Sequence, residues 1–248
     1  GDHTDPKADA IISAVLNADQ TRAVLFGGAG HTGRLRTGGV IISCATVARA
    51  FVAEMEVQAR NQGFLYLDAP ISGGAIKVAE GRLSIMASGT PEAFFTAAPV
   101  LEATAEKVFR LGNAAGAGSA MKAVNQLLAG VHIATMAEAM TFGISHGVSP
   151  EDFMDVIPEC AGTSWMLENR GPHIVDGDYT PHSSVNIWPK DLGIVLDIAK
   201  DSNFAAPIAT AALKQFRAAV DAGLGGEDDA AVAKVYAENA GLDLPKGA

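Results

Sequence analysis

Lys122, Asn125 and Gln126 stand at i, i+3 and i+4, the spacing that puts three side chains on one face of a helix. The run around them, residues 119–145, is mostly Ala, Val, Leu and Met. A lysine on an ordinary helix is a solvated surface group. On a helix apolar on all sides, the amine and the two amides need partners in protein, water or a ligand. Gly116-Ala117-Gly118 ahead of them lets a backbone approach closely and a helix begin. A second cluster is Asp68-Ala69-Pro70-Ile71-Ser72-Gly73-Gly74, followed by Ala79, Gly81, Leu83, Met86 and Gly89. At a strand end, the Ser72 hydroxyl and the Gly73 and Gly74 N–H groups could cradle a carboxylate. A tight turn after a strand is an equal alternative. A third cluster, Gly28-Ala29-Gly30-His31-Thr32-Gly33, matches GxGxxG. That fingerprint works when it follows a strand and opens a helix whose N-terminus faces a pyrophosphate. Here Arg34-Leu35-Arg36-Thr37 leads at once into Gly38-Gly39 and a strand, and Glu54 lies inside a helical pattern. The expectation is a glycine-rich loop that binds no phosphate.

Composition narrows the classes. The net charge of -10 and the lack of any basic stripe argue against a nucleic-acid surface. Cys44 and Cys160 form no CxxC, which suits reduced thiols in a cytoplasmic protein. The six histidines have no metal-ligand spacing, so no metal is expected. The opening GDHTDPKADA has no signal-peptide pattern, and uninterrupted apolar runs look too short for a membrane span.

The elements that must position these residues change character midway. Residues 10–16 (AIISAVL), 40–43 (VIIS), 64–68 (FLYLD), 83–87 (LSIMA) and 107–111 (KVFRL) read as buried strands. Residues 19–25, 46–61 and 91–101 between them read as helices, so the first half predicts a mostly parallel sheet. From residue 119 a long, largely buried helix is expected to 145. Helices over 150–157, 164–175, 189–200, 207–222 and 229–240 follow, with no competing strand. The predicted organisation is an α/β domain over 1–113 and an all-α domain over 114–248, joined by the long helix.

The Asp68–Gly74 and Gly116–Gln126 motifs, in this order, resemble the β-hydroxyacid dehydrogenases. The resemblance covers nearly the whole chain. Ser43-Cys44-Ala45-Thr46 is similar to the family's DSST-type segment beside the nicotinamide. Val15-Leu16-Asn17 sits where the family usually has a Leu-Pro pair, and Lys190-Asp191-Leu192 resembles its Lys-Asp-Leu. Three stretches are similar to the branch acting on L-threonate: 126–134, Ser164-Trp165-Met166-Leu167-Glu168-Asn169-Arg170 and Asp176-Gly177-Asp178-Tyr179-Thr180-Pro181. Tartronate semialdehyde and 3-hydroxyisobutyrate are the alternative substrates.

The resemblance implies a Rossmann-like domain, a linking helix and a helical domain. It also implies NAD, or NADP, and oxidation of a small hydroxy acid, L-threonate to its 2-oxo acid. Lys122 is then the general acid/base, its pKa depressed by burial and a cationic neighbour. Ser72, Gly73 and Gly74 hold the substrate carboxylate. Asn125 or Gln126 orients the hydroxyl groups, the family often having Asn where Gln126 stands. Asp191 fixes Lys122 or the substrate. Val15, Leu16, Asn17, Thr46 and Lys190 contact the cofactor. A homodimer or homotetramer is expected. Family members open with a strand, a GxGxxG turn and a helix, then a second strand with an acidic residue, and this pattern is not found here. The expectation is a chain whose first strand lies at a sheet edge and which holds NAD weakly, with a non-catalytic fragment as the alternative reading.

Overall fold

The computed structural model describes residues 7–28 and 30–247. Ala29 of the glycine loop and residues 1–6 of the opening segment lie outside the described residues. The chain forms two compact units, Gly1–Ala123 and Val124–Ala248.

The first unit is α/β. In order it holds β1 (Ala8–Ser13), α1 (Ala18–Phe26), β2 (Leu35–Ser43), α2 (Arg49–Asn61) and β3 (Leu65–Asp68). Then come β4 (Ile71–Ser72), α3 (Gly74–Ala79), β5 (Leu83–Gly89), α4 (Pro91–Thr104), β6 (Ala105–Arg110) and the start of α5 (Ala117–Ser145). β1, β2 and β3 run parallel, Ile11 opposite Ile41 and Ile41 opposite Tyr66. Side chains on a strand alternate between faces. Val40, Ile42 and Leu67 therefore meet Phe94 and Leu101 of α4 on one side. Ile41 and Tyr66 meet Leu25 of α1 and Met55 of α2 on the other. Both faces are covered, which is why β2 reads as an unbroken apolar run. β5 pairs antiparallel with β3 and β4 and parallel with β6.

Several bounds differ from the sequence reading, each for a local reason. β1 ends at Ser13, because Asn17 caps α1 by accepting from Gln20 N at 2.9 Å and the chain leaves the sheet to reach it. β2 begins at Leu35 and runs through Gly38, whose φ of 74° glycine tolerates and whose N–H donates to Gly63 O at 2.9 Å. α2 starts at Arg49, three residues later than expected, after an extended Ala48. The short β4 and α3 were not anticipated. Pro70 has no N–H for the ladder, yet its carbonyl accepts from Met86 N at 2.9 Å, so pairing with β5 resumes at Ile71. Among the described residues β1 pairs with β2 alone and forms the sheet edge. The glycine loop closes through Gly30 N to Gly27 O and continues as a 3-10 turn, His31–Arg34, which feeds straight into β2.

The second unit is helical: the rest of α5, then α6 (Pro150–Val156), α7 (Trp165–Asp176), α8 (Ile187–Asp201), α9 (Pro207–Asp221) and α10 (Val232–Ala240). Ser149 and Ser164 cap α6 and α7 through Asp152 N and Leu167 N, and Gly177 and Gly241 end α7 and α10 in the left-handed conformation. Ile133, Met136 and Met140 of α5 pack into one core with Trp188, Leu192 and Phe216. Gly130 admits the Trp188 indole, since a Cβ there would lie 2.8 Å from it. The expectation about membranes needs a correction. α5 is 29 residues long with a mean hydropathy of 1.4 in its most apolar window, enough to cross a bilayer by length and composition. Its packing in the core identifies it as the central helix of a folded unit.

Candidate active site

The start of α5 is held by side chains from three other elements. Ala115 N donates to Glu56 Oε1 of α2 at 3.1 Å. Gly116 N and Ser119 N donate to Asp68 Oδ2 at 3.0 and 2.8 Å, and the Ser119 hydroxyl donates to Oδ1 at 2.7 Å. Ser88 Oγ of β5 donates to Asp68 Oδ2 at 3.0 Å and accepts from Gly116 N and Gly118 N at 3.1 and 2.9 Å. These N–H groups belong to the first turn, which has no partners within the helix. Gly118 is obligatory: a Cβ there would lie 2.2 Å from Met86 O. Burial pushes the Asp68 carboxyl above the usual carboxylate range, while the hydrogen bonds from Ser119, Ser88 and Gly116 oppose it by favouring the anion. Four donors converge on its two oxygens, so the anion fits the geometry.

One turn on, Lys122 is buried at 8 % exposure, which sets it apart from a surface lysine. Asp68 also ends the strand that leads to Ser72. Gly73 and Gly74 have φ of 138° and 67°, conformations that disfavour any side chain, and Ser72 beside them is half-buried. The segment is a glycine turn that leads into α3.

In the helical unit a chain of polar contacts joins four expected site residues. Lys190 Nζ lies 2.7 Å from Asp191 Oδ1, Gln126 Nε2 donates to Asp191 Oδ2 at 2.5 Å, and Asn125 Nδ2 donates to Gln126 Oε1 at 2.9 Å. Asp191 is 2 % exposed and Gln126 7 %. A carboxylate can only accept, so it turns the Gln126 amide nitrogen toward itself. Gln126 then presents its oxygen to the Asn125 amide nitrogen.

The expected cofactor residues of the α/β unit follow the carboxyl ends of two paired parallel strands, where Ser13 lies opposite Ser43. Val15, Leu16 and Asn17 leave β1, and Thr46 lies on the segment leaving β2. Sheets of this class bind ligands just beyond such strand ends. Leu16 is 53 % exposed there. The Asn17 side chain is engaged in capping α1. Burial pushes the thiol of Cys44, on the same segment, up to about 12, which disfavours the thiolate.

Sequence reasoning quoted Asp68 only as part of a motif and missed Ser88, because their partners lie up to 51 residues away. It also missed a buried network in the helical unit. Arg170 Nε donates to Asp229 Oδ1 at 2.6 Å, Trp188 Nε1 to Asp229 Oδ2 at 2.9 Å, and His173 Nδ1 lies 3.0 Å from Asp228 Oδ1. Two of the stretches read as substrate-branch signatures thus supply structural parts: Arg170 is an ion-pair partner and Gly177 a helix cap. Trp188 is buried in the core, whereas Trp165 is 59 % exposed.

Residues 4–112 match the NAD binding domain of 6-phosphogluconate dehydrogenase. Residues 116–236 match the domain described as NAD-binding of NADP-dependent 3-hydroxyisobutyrate dehydrogenase. L-threonate dehydrogenase from Cupriavidus necator is 50 % identical over 239 residues, covering 96 % of this chain and 80 % of the relative. L-threonate dehydrogenase from Escherichia coli is 47 % identical, covering 96 % of this chain and 78 % of the relative. The crystal structure of a 3-hydroxyisobutyrate dehydrogenase from Salmonella typhimurium superposes with a TM-score of 0.88 at 45 % identity, over 92 % of this chain and 79 % of that one. A Rossmann-like sheet, a helical unit entered by a long helix, and identity at this level over nearly the whole chain place it in one class of oxidoreductases using NAD or NADP: the chain belongs to the 3-hydroxyisobutyrate dehydrogenase-like β-hydroxyacid dehydrogenase family.

Proposed function

We propose that the protein oxidises a short sugar acid of the L-threonate type to its 2-oxo acid, with Lys122 as general base. The observation that carries this reading is a buried lysine one turn beyond an anchored helix start, with Asn125 and Gln126 following at i+3 and i+4. The names of the Cupriavidus and Escherichia relatives support L-threonate as the substrate. Bound NAD would supply the hydride acceptor. Lys122 Nζ takes the proton of the hydroxyl being oxidised and returns it in the reverse direction. The Ser72 hydroxyl and the Gly73 and Gly74 N–H groups hold the substrate carboxylate. Asn125 Oδ1 accepts from a neighbouring substrate hydroxyl, while Gln126, engaged at both ends of its amide, and Asp191 keep Asn125 in that orientation. Val15, Leu16, Asn17, Thr46 and Lys190 are the residues that would contact the cofactor.

A second reading, 3-hydroxyisobutyrate as substrate, is favoured by the name of the Salmonella structure. That acid has one hydroxyl and a methyl branch, so it would leave Asn125 Oδ1 without a donor, a cost that polar sites impose on poorer analogues. Specificity constants for L-threonate, tartronate semialdehyde and 3-hydroxyisobutyrate, each with NAD and NADP, test the proposal. The highest kcat/KM is expected for L-threonate; the highest value for 3-hydroxyisobutyrate would overturn the substrate assignment.

The enzyme is further proposed to be a cytoplasmic homodimer or homotetramer. Met121, Val124, Leu128 and Phe142 recur at helical spacing along α5 and are 46, 55, 48 and 65 % exposed, a stripe that a second copy would cover.

A further inference from the structure

We propose that Asp68 is a positioning residue for the reaction: its carboxylate fixes the start and rotational phase of α5, and through them the place of the Lys122 amine. The inference rests on the reading of Lys122 as general base. Asp68 touches no reacting atom by this account. It accepts from Gly116 N, Ser119 N and the hydroxyls of Ser119 and Ser88, and it is 1 % exposed. A helix start held by a single cap can still pivot about it. This one is gripped from β3 by Asp68, from β5 by Ser88 and from α2 by Glu56, so its axis and phase are both determined. Gly118 packs so closely under Met86 O that the turn has no room to slide. Lys122 follows Ser119 by three residues, within one turn of 3.6, so any rotation at Ser119 is transmitted to its Cα. An anion at a helix N-terminus also interacts favourably with the positive end of the helix dipole.

Asp68 has a second attachment. Its backbone closes β3, opposite Ser88 in the ladder, and four residues later the chain reaches Ser72. The same residue is therefore the origin of the loop that holds the carboxylate and the anchor of the helix that carries the base. This accounts for the joint presence of the two motifs: the acid of the first satisfies the glycine-freed N–H groups of the second.

The test is a double-mutant cycle on kcat with the full chain and a saturating hydroxy acid. Asp68→Asn keeps the shape but loses the charge, and one of its atoms can no longer accept. It should lower kcat about 10-fold, within the range of a displacement of about 1 Å at the reacting group, while KM for NAD changes less than about 2-fold. In the Lys122→Ala background the same substitution should lower the residual rate less than about 2-fold, because there is no amine left to misplace. Asp68→Ala should be worse than Asp68→Asn by a further 10-fold or so. If Asp68→Ala does not fold, Ser88→Ala replaces it and should lower kcat with the same non-additivity. Full multiplication of the Asp68→Asn and Lys122→Ala effects would overturn the positioning role and leave the base standing. Near-normal turnover in Lys122→Ala alone would overturn the base assignment and this proposal with it.

Discussion

Lys122, Asn125 and Gln126 share a spacing, but their surroundings give them different work. Lys122→Ala should lower kcat by at least about 10²-fold, the scale of a positioned acid–base group, with NADH affinity nearly unchanged. Steady-state turnover and a fluorescence titration of NADH check the two halves separately. The two amides should also separate. Asn125→Ala removes the proposed substrate contact and should lower kcat/KM for L-threonate by about 10-fold or more, with less effect on an acid that lacks the second hydroxyl. Gln126→Ala removes the partner of a buried carboxylate, so it should cost folding stability as well, on the order of 1–3 kcal/mol by urea unfolding. Equal losses for all acids in Asn125→Ala would remove that residue from substrate recognition.

Elements carry the next level of constraint. Gly118→Ala would set a Cβ 2.2 Å from Met86 O, a contact with backbone that no rotamer relieves. It should destabilise the protein by about 3 kcal/mol or more, above the usual cost of overpacking. Gly193→Ala, with nothing near its Cβ, is the control and should be neutral or slightly stabilising by urea unfolding. The C-terminal half of α7 is tied to the segment ahead of α10 differently, by charge. The hydrogen bond to Asp228 raises the His173 pKa, with burial opposing it. Burial alone would raise Asp228, but hydrogen bonds from His173 and from the N–H groups of Ala230 and His182 outweigh it and hold the carboxyl at about 2. The histidine contribution to stability is complete below its unfolded value of about 6.5 and fades as pH rises through its higher folded value. The aspartate contribution is complete above about 3.9 and fades as pH falls toward its folded value. The pair therefore stabilises most between about pH 4 and 6.5. His173→Ala should lower Tm by several degrees more at pH 5.5 than at pH 9, and a loss independent of pH would refute the ionic account.

For the molecule as a whole, the proposed assembly predicts a mass of two or four times 25.5 kDa by light scattering. Leu128→Glu, which puts charge into the exposed stripe of α5, should shift the protein toward monomer; a wild-type monomer would contradict the assembly. Local pattern determined a good deal of this protein. Short apolar runs and glycine punctuation located β2, β3 and β5, and the long apolar run of α5 was found to within two residues of its start. These signals are short-range, and backbone hydrogen bonding responds to them directly. The lysine–amide face and the Ser-Gly-Gly turn were legible for the same reason, since each lies within a few residues. Other features were decided only by the tertiary structure. β4 exists because β5 offers it a partner, and two residues beside a proline are too short a run to signal a strand. The division of labour between Asn125 and Gln126 depends on Asp191, 65 residues from Gln126. The anchoring of α5 by Asp68 and Ser88 depends on the ends of two paired strands brought under a helix start. A buried carboxylate is stable only where enough donors converge on it, and that convergence belongs to the folded chain, because no stretch of sequence brings Asp68, Ser88 and Ser119 together.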